Sequence, residues 1–230
     1  NIPDKEIIND NSKNNKLFSP SKNIQINIRE SLAKIGLLEV ITFTFISENK
    51  IIPIGQLNSS LKLENPISRE LGIMRNSLLP NLLDVAARNF SRGIETTNIF
   101  EVGFVYEGLG TEDQRSNFAV LMSGNAFKKN WHYPKRDFDF YDMKSLLLNL
   151  FDELEISKFD IVRTTNEWFH PGVSAELIYK RKKIVSFGEL HPSLKNKFKI
   201  KQSTIICKGS IDKICEVLSQ VKEENILNMS

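Results

Sequence analysis

The sequence predicts an α+β domain built on a mostly antiparallel sheet flanked by helices, and three observations predict it. Long segments carry apolar residues at helical spacing. Short segments are β-branched and aromatic, or alternate at strand spacing. The strands follow one another through turns and helices without a repeating βαβ rhythm, which argues against a doubly wound parallel sheet. The 230 residues are 40% hydrophobic and 26% charged, enough for a sizeable core. That composition, with 15 Phe, excludes a disordered tail, and no apolar run approaches the roughly 18 residues of a membrane span.

Residues 1–20 are polar, rich in Asn, Lys and Ser, and read as a linker or an arm from a preceding domain. The packed domain is predicted over 21–222, with 223–230 as a C-terminal tail or linker. Ile24, Ile28, Leu32 and Ile35 recur at helical spacing, with Ser21 as the cap and Gly36 at the C′ position. VITFTFI at 40–46 reads as a strand with Thr42 and Thr44 on one face and Ile41, Phe43 and Phe45 on the other, partnered by LKLE at 61–64. A second helix carries Leu79, Leu82, Leu83, Ala86, Ala87 and Phe90 on one stripe, with Pro80 in its first turn and Gly93 just past its end. NIFEVGFVYE at 98–107 alternates and pairs with FAVLMSG at 118–124 across a polar loop. Met143, Leu146, Leu147, Leu150 and Leu154 mark a helix from 140, with Asp139 or Asp142 at its positive end. Strands at 175–179 and 183–190 flank a turn at Lys180-Arg181-Lys182. Pro192 opens a short helix, and TIICKGSI leads into a last helix over 212–222.

Local chemistry is sparse. Lys+Arg 31 against Asp+Glu 28 leaves +3, too weak a field to name a nucleic-acid partner. Cys207 and Cys215 are spaced as neither a redox CxxC nor a zinc knuckle, and read as reduced thiols. The start lacks an apolar leader, so a cytoplasmic location is expected. His132, His170 and His191 stand in no metal-binding spacing, and no GxSxG nucleophile turn or glycine-rich phosphate loop is present. Asp137, Asp139 and Asp142 are read as helix-terminal charge rather than a Mg²⁺ site, and Lys180 to Lys183 as a solvated hairpin tip.

Four stretches in order carry a resemblance: ENPISRELGIMRNSLLPNLLDVAARNFSRG at 64–93 running into NIFEVGFVYE, NWHYPKRDFDFYDMKSLLLNL at 130–150, HPGVSAELIY at 170–179, and FGELHPSLKNKFKI at 187–200. With RESLAKIGLLEVITFTFIS at 29–47, the chain resembles the β subunit of bacterial phenylalanine-tRNA ligase (phenylalanyl-tRNA synthetase) over nearly its whole length after the arm. The resemblance implies a class II aminoacyl-tRNA synthetase-like fold. It implies the catalytic-like module of that subunit, a degenerate relative of the α subunit's catalytic domain, packed on α in an (αβ)₂ enzyme. ATP, Mg²⁺ and tRNA(Phe) would serve the whole enzyme. No cofactor is expected to bind this fragment, and the editing, anticodon-reading and Mg²⁺ sites of the subunit are expected outside it.

A working class II site grips ATP with a strand carrying Arg and Glu, and with a later glycine-rich strand and helix bearing a second Arg. IFEVG keeps Glu101 without a nearby preceding Arg, and FGELHP offers Gly188 without an Arg, so no catalytic residue is expected. The resemblance carries over Asn65, Pro66, Arg75, Ser77, Leu78, Leu79 and Pro80 as the motif that starts a core helix. His170, Pro171 and Gly172, then Gly188, Glu189, Leu190, His191 and Pro192, are motif positions as well. Their expected roles are structural or at the subunit interface: Pro66 and Pro171 fix extended or turn geometry, Gly172 permits a tight bend, and a buried His191 donates to a backbone carbonyl. The chain departs from the family at Lys144-Ser145-Leu146, where Lys-Gly-Asp is usual. The stripes at 21–35 and 78–92 are expected to exceed what one small sheet covers, leaving one to bury against α or its symmetry mate. The competing readings are a stand-alone class II-like amino-acid-activating ligase, and a tRNA-contacting module using Lys180, Arg181, Lys182 and Lys183.

Overall fold

A computed structural model describes residues 19–50, 61–127, 131–132 and 134–227 of the chain. Residues 1–18 of the expected arm and 228–230 of the expected tail lie outside them. Helix α1 spans Pro20–Lys34. Ser19, rather than Ser21, caps it by accepting from the Lys22 amide, and Pro20 supplies the fixed φ of the first turn. Ile24, Ile28 and Leu32 are buried on one face, and Gly36 ends the helix at φ 95°, where a Cβ would be strained.

The strand expected at 40–46 is not continuous. Strand β1 is Leu38–Glu39, and β2 is only Phe45–Ile46, paired with β3 at Ile73–Met74. Of the 61–64 segment, an isolated bridge from Lys62 reaches Ile73. Helix α2 covers Leu79–Ser91, with Pro80 in its first turn and Leu79, Leu82, Leu83 and Ala86 wholly buried, as the stripe predicts.

Strands β4 (Thr97–Tyr106) and β5 (Gln114–Ser123) form the predicted hairpin, β4 shifted by one residue and β5 longer than read from sequence, joined by residues 107–113. Short strands β6 (Asn125–Phe127) and β7 (Arg136–Asp137) pair before helix α3, Phe140–Glu153. Strand β8 (Asp160–Arg163) follows, exposed at all four residues and without the alternation that marks a half-buried strand. Strands β9 (Phe169–Tyr179) and β10 (Lys182–Leu190) make a second hairpin, closed by Lys180 and Arg181 at φ 45° and 70°. Helix α4 (Pro192–Phe198), strand β11 (Thr204–Ser210) and helix α5 (Ile211–Leu227) complete the order.

The main sheet has seven strands in the order β1-β4-β5-β11-β10-β9-β8. It is antiparallel except where β1 lies parallel to β4. One face buries Phe100, Phe118, Val120, Phe187 and Cys207 under α1, α3 and α5. The other buries Ile99, Leu121, Ile206 and Leu190 under α2 and α4. Except at Ile35, which is exposed, the apolar stripes of α1 and α2 are thus taken up largely by the chain's own core, which corrects the expectation that they exceed what one sheet covers. No helix among the described residues is long and apolar enough to cross a membrane.

Candidate functional site

Strand β4 carries Glu101 on the α2 side of the sheet, and the arginine missing from its own strand arrives from elsewhere. The chain turns out of β3 at Arg75, whose guanidinium reaches the Glu101 carboxylate at 2.7 Å, with both side chains almost fully buried. Arg75 also donates to the Phe104 carbonyl at 2.9 Å and the Thr42 hydroxyl at 2.9 Å. Thr42 donates its hydroxyl to the other Glu101 oxygen at 2.7 Å, and the Asn81 amide donates to Thr42 Oγ1 at 2.7 Å and to the Phe43 carbonyl at 2.8 Å. A buried charge pair is tolerated when its remaining donors and acceptors find partners, and here they do. The Glu101 carboxylate is therefore occupied within the protein.

The same bonds orient residues 41–43. The alternation expected there is real, but its buried side is the polar one: Thr42 turns inward to the clamp, while Ile41 is 93% and Phe43 72% exposed. Leu38 is exposed beside them, and Ile67 is 98% exposed on a loop whose neighbour Ser68 lines the same surface cleft as Phe43. Leu38, Ile41, Phe43 and Ile67 are thus large apolar side chains left to solvent.

Beside the segment that leads into α2, a cleft opens over β5, β11 and β10. The cleft measures about 330 Å³ and includes Arg115, Trp168, Lys183, Ser186, Lys208 and Lys213 in its lining. The strand beside the Glu101 hairpin is β11, followed by α5, so β11 and α5 hold the place that sequence reasoning gave to FGELHP. Neither β11 nor α5 contains an arginine. Burial lowers the Lys208 ammonium to about 8, and nearby Lys183 adds repulsion against the weaker pull of Glu176.

The motif residues disperse. Leu78, Leu79 and Pro80 are core, and Ser77 accepts from the Leu79 amide. Asn65 and Pro66 are exposed. His170, Pro171 and Gly172 sit where the β9–β10 ladder skips between the Ser174 and Phe169 pairings, a place where proline loses no ladder bond. Gly172 is not at the tight bend expected; its amide bonds His170 Nδ1 at 3.1 Å within β9. Gly188 has a reason of its own: a Cβ would lie 2.4 Å from the Val173 carbonyl. Glu189 lies 3.6 Å from Lys195. His191 is half-buried, not buried, and rather than donating to a carbonyl it caps α4, Nδ1 accepting from the Ser193 amide ahead of Pro192.

Asp139 and Asp142 form a capping box on α3, and Arg136 holds Asp142 through two bonds of 2.7 Å. Among the described residues no group of three or more metal-ligating side chains gathers. In the basic hairpin, Lys182 pairs with Glu216 at 2.8 Å, Lys183 pairs with Glu176, and Lys180 lies over Tyr179.

Asn81, Ser186 and Lys208 belong to no sequence motif, and Thr42 is legible only as one face of a strand. Asn81 was the findable one, a polar residue on the apolar stripe of α2; the others depend on strand register.

Residues 9–209 match the family model described as the phenylalanyl tRNA synthetase beta chain CLM domain. The chain is 32% identical over 204 residues to the phenylalanine–tRNA ligase beta subunit of Carboxydothermus hydrogenoformans, which covers 85% of this chain and 25% of that protein. It is 33% identical over 185 residues to the corresponding subunit of Fusobacterium nucleatum, covering 77% and 23%. The chain thus spans about a quarter of the length of these relatives. Among solved structures, the pyrrolysyl-tRNA synthetase of Desulfitobacterium hafniense shares the fold, with a TM-score of 0.67 at 14% identity over 87% of this chain and 70% of that one.

Proposed function

The chain belongs to the phenylalanyl-tRNA synthetase beta chain CLM-domain family, and from that membership we propose that it is a non-catalytic, class II-like module of a phenylalanine-tRNA ligase β subunit. It packs on the α subunit of a cytoplasmic (αβ)₂ enzyme that attaches phenylalanine to tRNA(Phe) with ATP and Mg²⁺, and the chemistry takes place on α. The observation that carries this reading is the clamp. The carboxylate in the position of a class II ATP grip is bonded by Arg75 and Thr42 instead, and the clamp holds Ile41 and Phe43 outward as an apolar contact. A stand-alone ligase would need a guanidinium free at this place for a triphosphate, whereas Arg75 is taken up by Glu101.

Sedimentation of the chain with the α subunit from the same source tests the proposal. A stable complex is expected, lost in an Ile41→Asp/Phe43→Asp variant that keeps the parent's circular dichroism. Assembly unchanged by that pair would overturn the contact, and ATP–pyrophosphate exchange by the chain alone would overturn the non-catalytic role.

A further inference from the structure

The open cleft over the sheet has the makings of a binding site that the scaffold role does not use. Register places Ala119 of β5, Lys208 of β11, Ser186 of β10 and Glu176 of β9 side by side in one row across the strands. Residues paired across a ladder project from the same face of the sheet. Ala119, with only a methyl group, leaves room beside Lys208, and Ala119, Lys208 and Ser186 all line the cleft.

Two features of this row are unresolved by the protein itself. Ser186 is 1% exposed, yet its hydroxyl has no hydrogen-bond partner, although a buried polar group left unpaired costs about 1–3 kcal/mol. Lys208 lies with its ammonium 5.7 Å from the centre of the Trp168 ring, and neither it nor Lys213 enters any ion pair among the described residues. The acidic groups nearby are already engaged: Glu107 by Arg115 at 3.0 Å, and Glu176 by Lys183 and the Thr164 hydroxyl. Glu216, on α5 beyond Lys213, is held by Lys182.

We propose that this cleft binds a small phosphate-bearing anion, seated on Lys208 and the Ser186 hydroxyl with Lys213 at its rim. The charge selects the ligand class. Two ammonium groups without carboxylate partners match a dianion, and a phosphate monoester or pyrophosphate carries about −1.5 to −2 near neutral pH where a carboxylate carries one charge. The oxygens of a phosphate also accept from several directions at once, matching an ammonium on β11 and a hydroxyl on β10 that line the cleft together. The volume of about 330 Å³ is at the small end of ligand pockets and leaves room for a modest organic group beyond the phosphate. This inference is independent of how residues 38–43 meet a partner.

Trp168 is the reporter. A Trp131→Phe variant of the full chain leaves Trp168 as the sole tryptophan, because the chain has only 2. Titration with inorganic pyrophosphate at constant ionic strength is expected to change its fluorescence saturably, with calorimetry giving one site. Lys208→Met and Ser186→Ala should each weaken that binding at least tenfold, while Lys22→Met on exposed α1 leaves it unchanged. No saturable response, or affinity untouched by both cleft variants, overturns the proposal. So does tight binding of a short RNA that loses affinity in Lys208→Met while pyrophosphate fails to bind, because the phosphate would then belong to a nucleic-acid backbone. Ser186→Ala keeps the test decisive should Lys208→Met perturb the fold.

Discussion

Arg75 reaches Glu101 at 2.7 Å in the interior, joining the turn before α2 to the middle of β4 across 26 residues of sequence. Removing one partner leaves the other buried and charged without a counter-ion. Arg75→Met and Glu101→Gln are each expected to cost about 3–5 kcal/mol in urea unfolding. The double variant should cost clearly less than the sum, because neither charge is then stranded. Additive losses would mean that the pair is not coupled.

Thr42 ties the same clamp to the exposed segment, so its removal should be felt locally. Thr42→Val strands acceptors on Glu101 and donors on Asn81, an expected loss of about 1–3 kcal/mol. Amide exchange at residues 40–44 should accelerate before the rest of the sheet does. By contrast, Ile41→Asp at a 93% exposed position should stay within about 0.5 kcal/mol of the parent, whereas Leu82→Ala in the core of α2 should lose about 2–5 kcal/mol. Equal losses at the two sites would invalidate the outward orientation of Ile41.

How much of this was legible in sequence follows from how local each signal is. Helices α2 and α3 and the β4–β5 hairpin were readable because periodicity, caps and alternation lie within one element. Strand β8 escaped because all four of its residues are exposed and leave no alternation. The 40–46 segment shows a different limit. Its alternation was correct, but the side that faces inward is set by Arg75, Asn81 and Glu101, which no pattern within seven residues contains. The cleft is harder still, since Lys208 and Ser186 become neighbours only through the register of β11 against β10.

At the start of α3, Asp142 is held by the Arg136 guanidinium and by the Asp139 amide, which together keep its carboxyl below the usual carboxylate range. A group whose pKa is depressed on folding stabilises the protein above its unfolded pKa of about 3.9, and that stability fades as pH falls through the folded value. Asp142→Asn should therefore lose on the order of 1 kcal/mol at neutral pH, as expected for a capping residue. The difference from the parent should shrink below about pH 4. A difference that stays constant down to pH 2 would count against the carboxylate as the source.

Lys208 presents the opposite sign. Burial and repulsion from Lys183 bring its ammonium down to about 8, whereas an unfolded lysine titrates near ~10.4. Below about pH 8 both states are protonated, so the full cost of keeping the charge in the cleft weighs on the folded protein. Between about 8 and ~10.4 the unfolded chain holds more protons, and the Lys208 contribution improves as pH rises. Cys207, pushed up to about 12 by burial, works the other way in the same range, because its thiol stays protonated in the fold after an unfolded thiol has ionised. Comparing Lys208→Met with the parent cancels the cysteine, and methionine preserves the apolar stem against Trp168. The variant should be more stable by on the order of 1–3 kcal/mol at pH 7, with the advantage vanishing toward pH 10. In the presence of saturating pyrophosphate the parent alone should regain that ground, since only it offers the ammonium. A variant less stable than the parent at pH 7 would show that Lys208 is already satisfied by the fold, and the cleft would then lack the unpaired charge that an anion is drawn to.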